Sequence, residues 1–259
     1  MLLAIDVGNS NTVLGLYDGE KLIYDWRIRT VANHTVDEYG MLIVNLYKNV
    51  KSKSQPVTLT GIIISCVVPP MLNILEPLCK KYFGLKPLIV EPGIKTGMPI
   101  FYDNPKEVGA DRIVNTLAAH HLFGGPAIVV DFGTSTNLDV VSAKGEFLGG
   151  ALAPGIEISL DALAARAAQL RKVELVRPRS VIGKNTVEAL QSGALYGFAG
   201  QVDGLVDRIV AELGGRVTAV VATGGLAPIV VAESRTITDH EPDLTLIGLD
   251  LIYSKNVTT

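Results

Sequence analysis

Aliphatic residues along the chain gather into short runs, and two of these runs stop at an aspartate. "LLAI" leads into Asp6, and "AIVV" leads into Asp131. Each aspartate opens a small, polar, glycine-containing turn. The first reads Gly8-Asn9-Ser10-Asn11-Thr12 and the second Gly133-Thr134-Ser135-Thr136. After the first turn, "TVLGLYDGEKLIYDWRIRT" alternates apolar and polar residues about Asp18-Gly19, which predicts a hairpin with D-G supplying the turn. After the second, "NLDVVSAKGEFLGGALAPG" repeats the scheme about Lys144-Gly145. Asp131 lies 125 residues beyond Asp6, Gly133 lies 125 beyond Gly8, and Gly145 lies 126 beyond Gly19. Several landmarks at one spacing indicate duplication of a whole domain.

The remaining segments fit that plan. "TVDEYGMLIVNLYKNV" has helical spacing, with Thr35 and Glu38 forming a capping-box pattern. "GIIISCVV" predicts a buried strand ended by Pro69-Pro70. "MLNILEPLCKKYFG" predicts a helix closed by Gly84, and "KPLIVEP" another strand. Helices are expected at "RIVNTLAAHH", "LDALAARAAQL", "NTVEALQSGALYGFAGQVDGLVDRIVAELGG" and "LTLIGLDLIYSKN"; "VTAVVATGG" predicts a strand running into a third glycine turn. Strands alternating with helices give an α/β class. The duplication suggests domains at 1–118 and 119–259, with the boundary near 115–125.

Composition narrows the function. Of 259 residues, 48% are hydrophobic and 19% charged, so the chain can bury a core and is not disordered. The net charge is −3 and no Lys/Arg run exceeds two residues, which argues against nucleic acid as a partner. The apolar runs are too short to span a bilayer, and Asp6 interrupts the first before a signal sequence could form. Cys66 and Cys79 stand outside any C-x-x-C pattern, and His34, His120, His121 and His240 lack metal-ligand spacing. A cytoplasmic protein is expected, with no membrane contact.

A strand-end carboxylate followed by a glycine turn suits phosphate and metal chemistry. Backbone N–H groups can converge on phosphate oxygens where glycine removes the Cβ. The carboxylate can hold magnesium, usually through water. Two such turns would clamp one nucleoside triphosphate, and Thr223-Gly224-Gly225 could cover its sugar or base. No G-x-x-x-x-G-K-[ST] loop is present. Asp111, in "GADR" before a helical stretch, reads either as a helix cap or as a base for a hydroxyl; helix N-terminal placement would keep it ionised. Arg112 reads as an anion fork or an exposed helix charge. Thr186 reads as the N-cap of the helix that follows.

Taken in order, "DVGNSNT", "GADR", "DFGTSTN", "GGALAPG", "VIGKNT" and "ATGGLA" resemble type III pantothenate kinase, within the actin, sugar-kinase and heat-shock ATPase superfamily. The resemblance implies duplicated ribonuclease-H-like domains, each with a mixed central sheet. It implies ATP-dependent phosphorylation of pantothenate, the first step of coenzyme A biosynthesis. Carried onto this chain, it makes Asp111 the proton acceptor. Asp6, Val7, Gly8, Asn9, Ser10, Asn11, Thr12, Val13 and Thr134 would bind ATP, with Asp6 near magnesium. Tyr102, Gly109, Ala110, Asp111, Arg112 and Thr186 would form the pantothenate site. Asp131 would hold a monovalent cation, K+ or NH4+, although from the residues alone it reads equally as a magnesium ligand. Thr186 would reach the substrate from the neighbouring subunit, which makes the protein a homodimer with a shared site. Two departures stand out. The family's D-F-G-T-A-T-T carries Ser135 and Asn137 here, and its L-P-R-V is Leu170-Arg171-Lys172-Val173.

Overall fold

The computed structural model describes residues 1–50, 58–167, 170 and 172–257. Arg171, which replaces the family's proline, lies outside them, as does the stretch 168–169 of the expected helix "LDALAARAAQL". The chain forms two compact units. The first comprises Met1–Gly97, Lys106–Asn115 and Thr245–Thr259, and the second Met98–Pro105 and Thr116–Leu244.

The first unit is built on a five-stranded sheet of β1 (Leu2–Val7), β2 (Asn11–Asp18), β3 (Lys21–Arg29), β4 (Gly61–Cys66) and β5 (Leu88–Ile89). Its order is β3-β2-β1-β4-β5. The β1-β2-β3 meander is antiparallel, while β4 and β5 run parallel to β1. On one face Leu3, Ile5, Val7, Leu14, Ile62 and Ile64 pack with Tyr39 and Ile43 of α1 (Val36–Lys48) and Met71 and Leu75 of α2 (Pro69–Leu78). Burying each such side chain contributes roughly 1.5–3 kcal/mol. The capping box forms as the pattern predicts: Glu38 N–H donates to Thr35 Oγ1, and Thr35 N–H donates to Glu38 Oε2. Gly84 closes the second helical run in the left-handed region, at φ +67°.

The second unit repeats the design with β6 (Ala127–Phe132), β7 (Ser135–Val141), β8 (Phe147–Pro154), β9 (Ala219–Thr223) and β10 (Asp239–His240). Its order, β10-β9-β6-β7-β8, is the same topology. Ile128, Val130, Phe132, Leu138, Val220 and Ala222 form its core with α4 (Ile156–Arg166), α5 (Thr186–Glu212) and α6 (Ala227–Val231). The duplication extends to detail. The pairing register shifts at Leu16/Tyr17 in the first meander and at Val140/Val141 in the second. The turns differ by one residue: Val7 pairs with Thr12, but Phe132 pairs with Thr136. Asp6 therefore faces Val13, whereas Asp131 faces Asn137. These are duplicated ribonuclease-H-like units, each with the mixed sheet expected.

The last helix, α7 (Leu244–Val257), belongs to the first unit, whereas the duplication alone groups it with 119–259. Its packing explains why. A Cβ on Gly15 would meet Leu246, one on Gly61 would meet the Tyr253 ring, and one on Gly248 would lie 2.2 Å from the Val114 carbonyl oxygen. Thr245 Oγ1 also donates to Asn115 Oδ1 at 2.7 Å. Among the described residues, no helix is long and apolar enough to cross a membrane.

Candidate active site

The first turn is held from within. Gly8 N–H donates to the Asn11 carbonyl at 3.0 Å, and Thr30 Oγ1 donates to the Gly8 carbonyl at 2.8 Å. Thr12 is buried, with its hydroxyl between Thr30 Oγ1 (2.9 Å) and the Tyr39 hydroxyl (3.1 Å). Val7 lies in the core. The side chains of Thr12 and Val7 thus fix the turn, while Asn9, Ser10 and Asn11 are exposed at its tip. Asp6, next to last in β1, lies beside Ser65 of β4, whose fully buried hydroxyl has no hydrogen-bond partner among the described residues. The sequence reading missed Ser65. Its place within the aliphatic run "GIIISC" hides it, and only the parallel register brings it next to Asp6.

The second turn is assembled from more distant segments. Gly133 N–H donates to the Ser135 carbonyl at 3.0 Å, and Gly155 N–H donates to the Thr134 carbonyl at 3.1 Å. Thr134 is exposed. A Cβ on Gly155 would lie 2.3 Å from the Thr134 carbonyl oxygen, so "GGALAPG" ends against this turn. The third glycine turn also arrives here. Gly224 has φ +93°, and a Cβ on it would lie 2.5 Å from Asp131 Oδ1. Asp131, Gly133, Thr134 and Gly224 therefore form one cluster. No group of three or more His, Cys, Asp or Glu residues able to hold a metal occurs among the described residues.

Asp111 is the second residue of α3 (Ala110–Phe123), not its cap. Its Oδ1 turns back to accept the Arg112 N–H at 2.8 Å, and a Cβ on Gly109 would lie 2.5 Å from that oxygen. Glycine at 109 leaves the seat open. Burial pushes the Asp111 carboxyl above its usual range, although the Arg112 N–H and guanidinium act in the opposite direction. Desolvation outweighs these contacts. A carboxylate made more basic is a better proton acceptor. Arg112 is buried rather than an exposed helix charge.

Tyr102 belongs to the second unit, where its ring lies 6.2 Å from that of Phe147. Gly149 lies beside it at φ +102°, where the left-handed backbone favours glycine. Thr186 is exposed and is the first residue of α5; the cap is Asn185, whose Oδ1 accepts the Glu188 N–H at 2.9 Å. Asparagine caps as well as threonine, and the extended backbone falls at 185. The preceding loop is pinned to α5 by Ser192 Oγ donating to the Val181 carbonyl at 2.6 Å and by an Arg179–Glu188 ion pair at 2.5 Å.

Residues 2–208 match the family model for type III pantothenate kinase. The chain belongs to the type III pantothenate kinase family. It is 64% identical to the type III pantothenate kinase of Frankia alni, over 99% of this chain and 100% of that one. Against the type III pantothenate kinase of Syntrophus aciditrophicus the figures are 60%, 99% and 100%. The ROK hexokinase of Thermus thermophilus shares the fold, with a TM-score of 0.51 at 14% identity, covering 98% of this chain and 99% of that one. The matched residues take in the glycine turns after Asp6 and Asp131, the Gly109–Arg112 segment and Thr186.

The raised Asp111 carboxyl has a consequence for stability. Its folded-state affinity for a proton exceeds the unfolded one, so its ionisation costs stability as pH rises from 3.8 through the raised value. Asp111→Asn removes that cost while keeping an acceptor for the Arg112 N–H. Its melting temperature at pH 7 should exceed that of the wild type, with the gain shrinking towards pH 4. Thermal unfolding across that range checks this; a lower value at pH 7 would sink it.

Proposed function

We propose that this protein transfers the γ-phosphoryl group of ATP to the primary hydroxyl of pantothenate, giving 4′-phosphopantothenate and ADP. That is the first step of coenzyme A biosynthesis. The observation that carries the reading is the family's "GADR" segment folded so that a half-buried, more basic carboxylate sits at a helix start beside an arginine. In this reading Asp111 accepts the hydroxyl proton as the oxygen attacks phosphorus. ADP leaves with the electrons of the broken P–O bond. Positioning and charge stabilisation then supply most of the acceleration.

The other roles belong to the same reading. Asp6, Val7, Gly8, Asn9, Ser10, Asn11, Thr12 and Val13 form the first ATP turn, with Asn9–Asn11 reaching phosphate and Thr12 and Val7 acting through their backbone. Thr134 binds phosphate from the second turn. Gly109, Ala110, Asp111 and Arg112 hold pantothenate, Arg112 as a fork for its carboxylate and Tyr102 as an aromatic wall. Magnesium at Asp6 fits the unsatisfied Ser65 hydroxyl beside it, which could bind an ordered water. A monovalent cation, K+ or NH4+, fits Asp131. These ions supply charge neutralisation when bound.

A homodimer is supported by the surroundings of Thr186, where Val181, Ile182 and Val187 are all exposed apolar residues. In this reading Thr186 serves the partner's substrate site. Sedimentation giving a monomer at assay concentration would remove this part of the reading. A reducing cytoplasm suits the two free thiols, one of which, Cys79, burial pushes up to about 12. The chain's mild acidity speaks against nucleic acid as a partner.

The test is ADP release with ATP, magnesium and K+ across a panel of pantothenate, hexoses and acetate. Turnover with pantothenate exceeding every other acceptor by at least about 100-fold in kcat/KM is expected. Equal or faster turnover with a sugar or acetate would overturn the assignment.

A further inference from the structure

We propose that Asn137 supplies a second oxygen ligand, beside Asp131, to the monovalent cation of the second turn. The proposal rests on the reading of Asp131 as a cation ligand. Four observations carry it. Asn137 pairs directly with Asp131 across β6 and β7. Directly opposed side chains share one face of a sheet, with Cβ atoms about 5 Å apart. Ile128, Val130, Phe132 and Leu138 occupy the core face, so alternation puts Asp131 and Asn137 together on the other. Asn137 is only 7% exposed, and its Oδ1 is a buried acceptor without a hydrogen-bond partner among the described residues. Such an atom costs stability comparable to a lost hydrogen bond unless something meets it.

The identity of what meets it follows from the neighbours. An amide oxygen beside a carboxylate places two acceptors side by side, and a cation satisfies both. One negative charge plus a neutral carbonyl suits a weakly hydrated monovalent ion, which readily exchanges water for carbonyl oxygens. The molecule contains its own control. In the first unit the residue facing the strand-end aspartate is Val13, which has no side-chain oxygen. The duplicated positions have diverged toward a ligand only where Asp131 stands. Gly224 leaves room for the Asp131 carboxylate at the same place.

Thermal unfolding with saturating ADP, in mixtures of choline chloride and KCl at constant ionic strength, provides the test. Wild-type Tm should rise with K+ to a plateau, by the linkage of binding to folding. Asn137→Leu should melt no lower than wild type in choline alone, because it removes an unsatisfied polar atom. It should require about tenfold more K+ to reach half of its shift. Asn137→Ala serves the same comparison should the leucine side chain fail to pack. An unchanged K+ midpoint in these variants would overturn the role of Asn137 while leaving Asp131 standing. A lower Tm of both variants in choline would overturn it in favour of an Asn137 amide that donates to Asp131. No K+ response in the wild type would overturn both this proposal and the cation reading of Asp131.

Discussion

Two carboxylate oxygens in this protein sit where a neighbouring residue's side chain would otherwise have to be. Asp111 Oδ1 lies 2.5 Å from the position of a Cβ at 109, and Asp131 Oδ1 lies 2.5 Å from one at 224. Real Cβ atoms do not come so close, so both carboxylates depend on glycine for their seats. The constraint is steric, but its effect is chemical. It lets an acidic group turn back onto backbone, at the start of α3 in one case and against the third glycine turn in the other. In the first case the seat is also buried enough to make the carboxyl more basic. That combination, a held carboxylate with raised proton affinity, is what a hydroxyl-activating group needs.

The surrounding fold serves these seats. Each unit places an aspartate at the end of its central strand, where apolar packing stops and the chain turns. The strand is fixed laterally by an antiparallel meander on one side and parallel strands on the other. One turn is braced by the Thr12, Thr30 and Tyr39 hydroxyls, the other by Gly155 against the Thr134 carbonyl. Rigidity in the strands therefore passes to short polar turns, as sites for phosphate require. Duplication with divergence then assigned the two ends different neighbours: Ser65 and Val13 beside Asp6, Thr223 and Asn137 beside Asp131.

The strands, hairpins and capping box were legible because they rest on local periodicity and turn chemistry. Gly19, Gly84 and Gly145 take the positive φ angles that their turns require. The seats were not legible. Gly109 and Gly224 look like ordinary turn glycines, and nothing in spacing reveals that the Asp111 carboxylate lies over the first and the Asp131 carboxylate over the second. Ser65 was concealed by its aliphatic neighbours. The cap at Asn185 was misplaced by one residue because Asn and Thr cap equally well. The return of α7 to the first unit escaped the repeat argument, since duplication predicts equivalence and not which unit the terminal helix covers. Close backbone approach decides that, at Gly15, Gly61 and Gly248. The raised proton affinity of Asp111 was not legible either, because burial belongs to tertiary structure.

Asp111 as proton acceptor is tested most directly by comparing wild type and Asp111→Asn in pantothenate-dependent ADP release, with ATP affinity measured calorimetrically on both. A positioned base predicts a fall in kcat of about 100-fold or more, with the ATP dissociation constant unchanged within about twofold. Turnover close to that of the wild type would contradict it and leave the half-buried carboxylate without a chemical role.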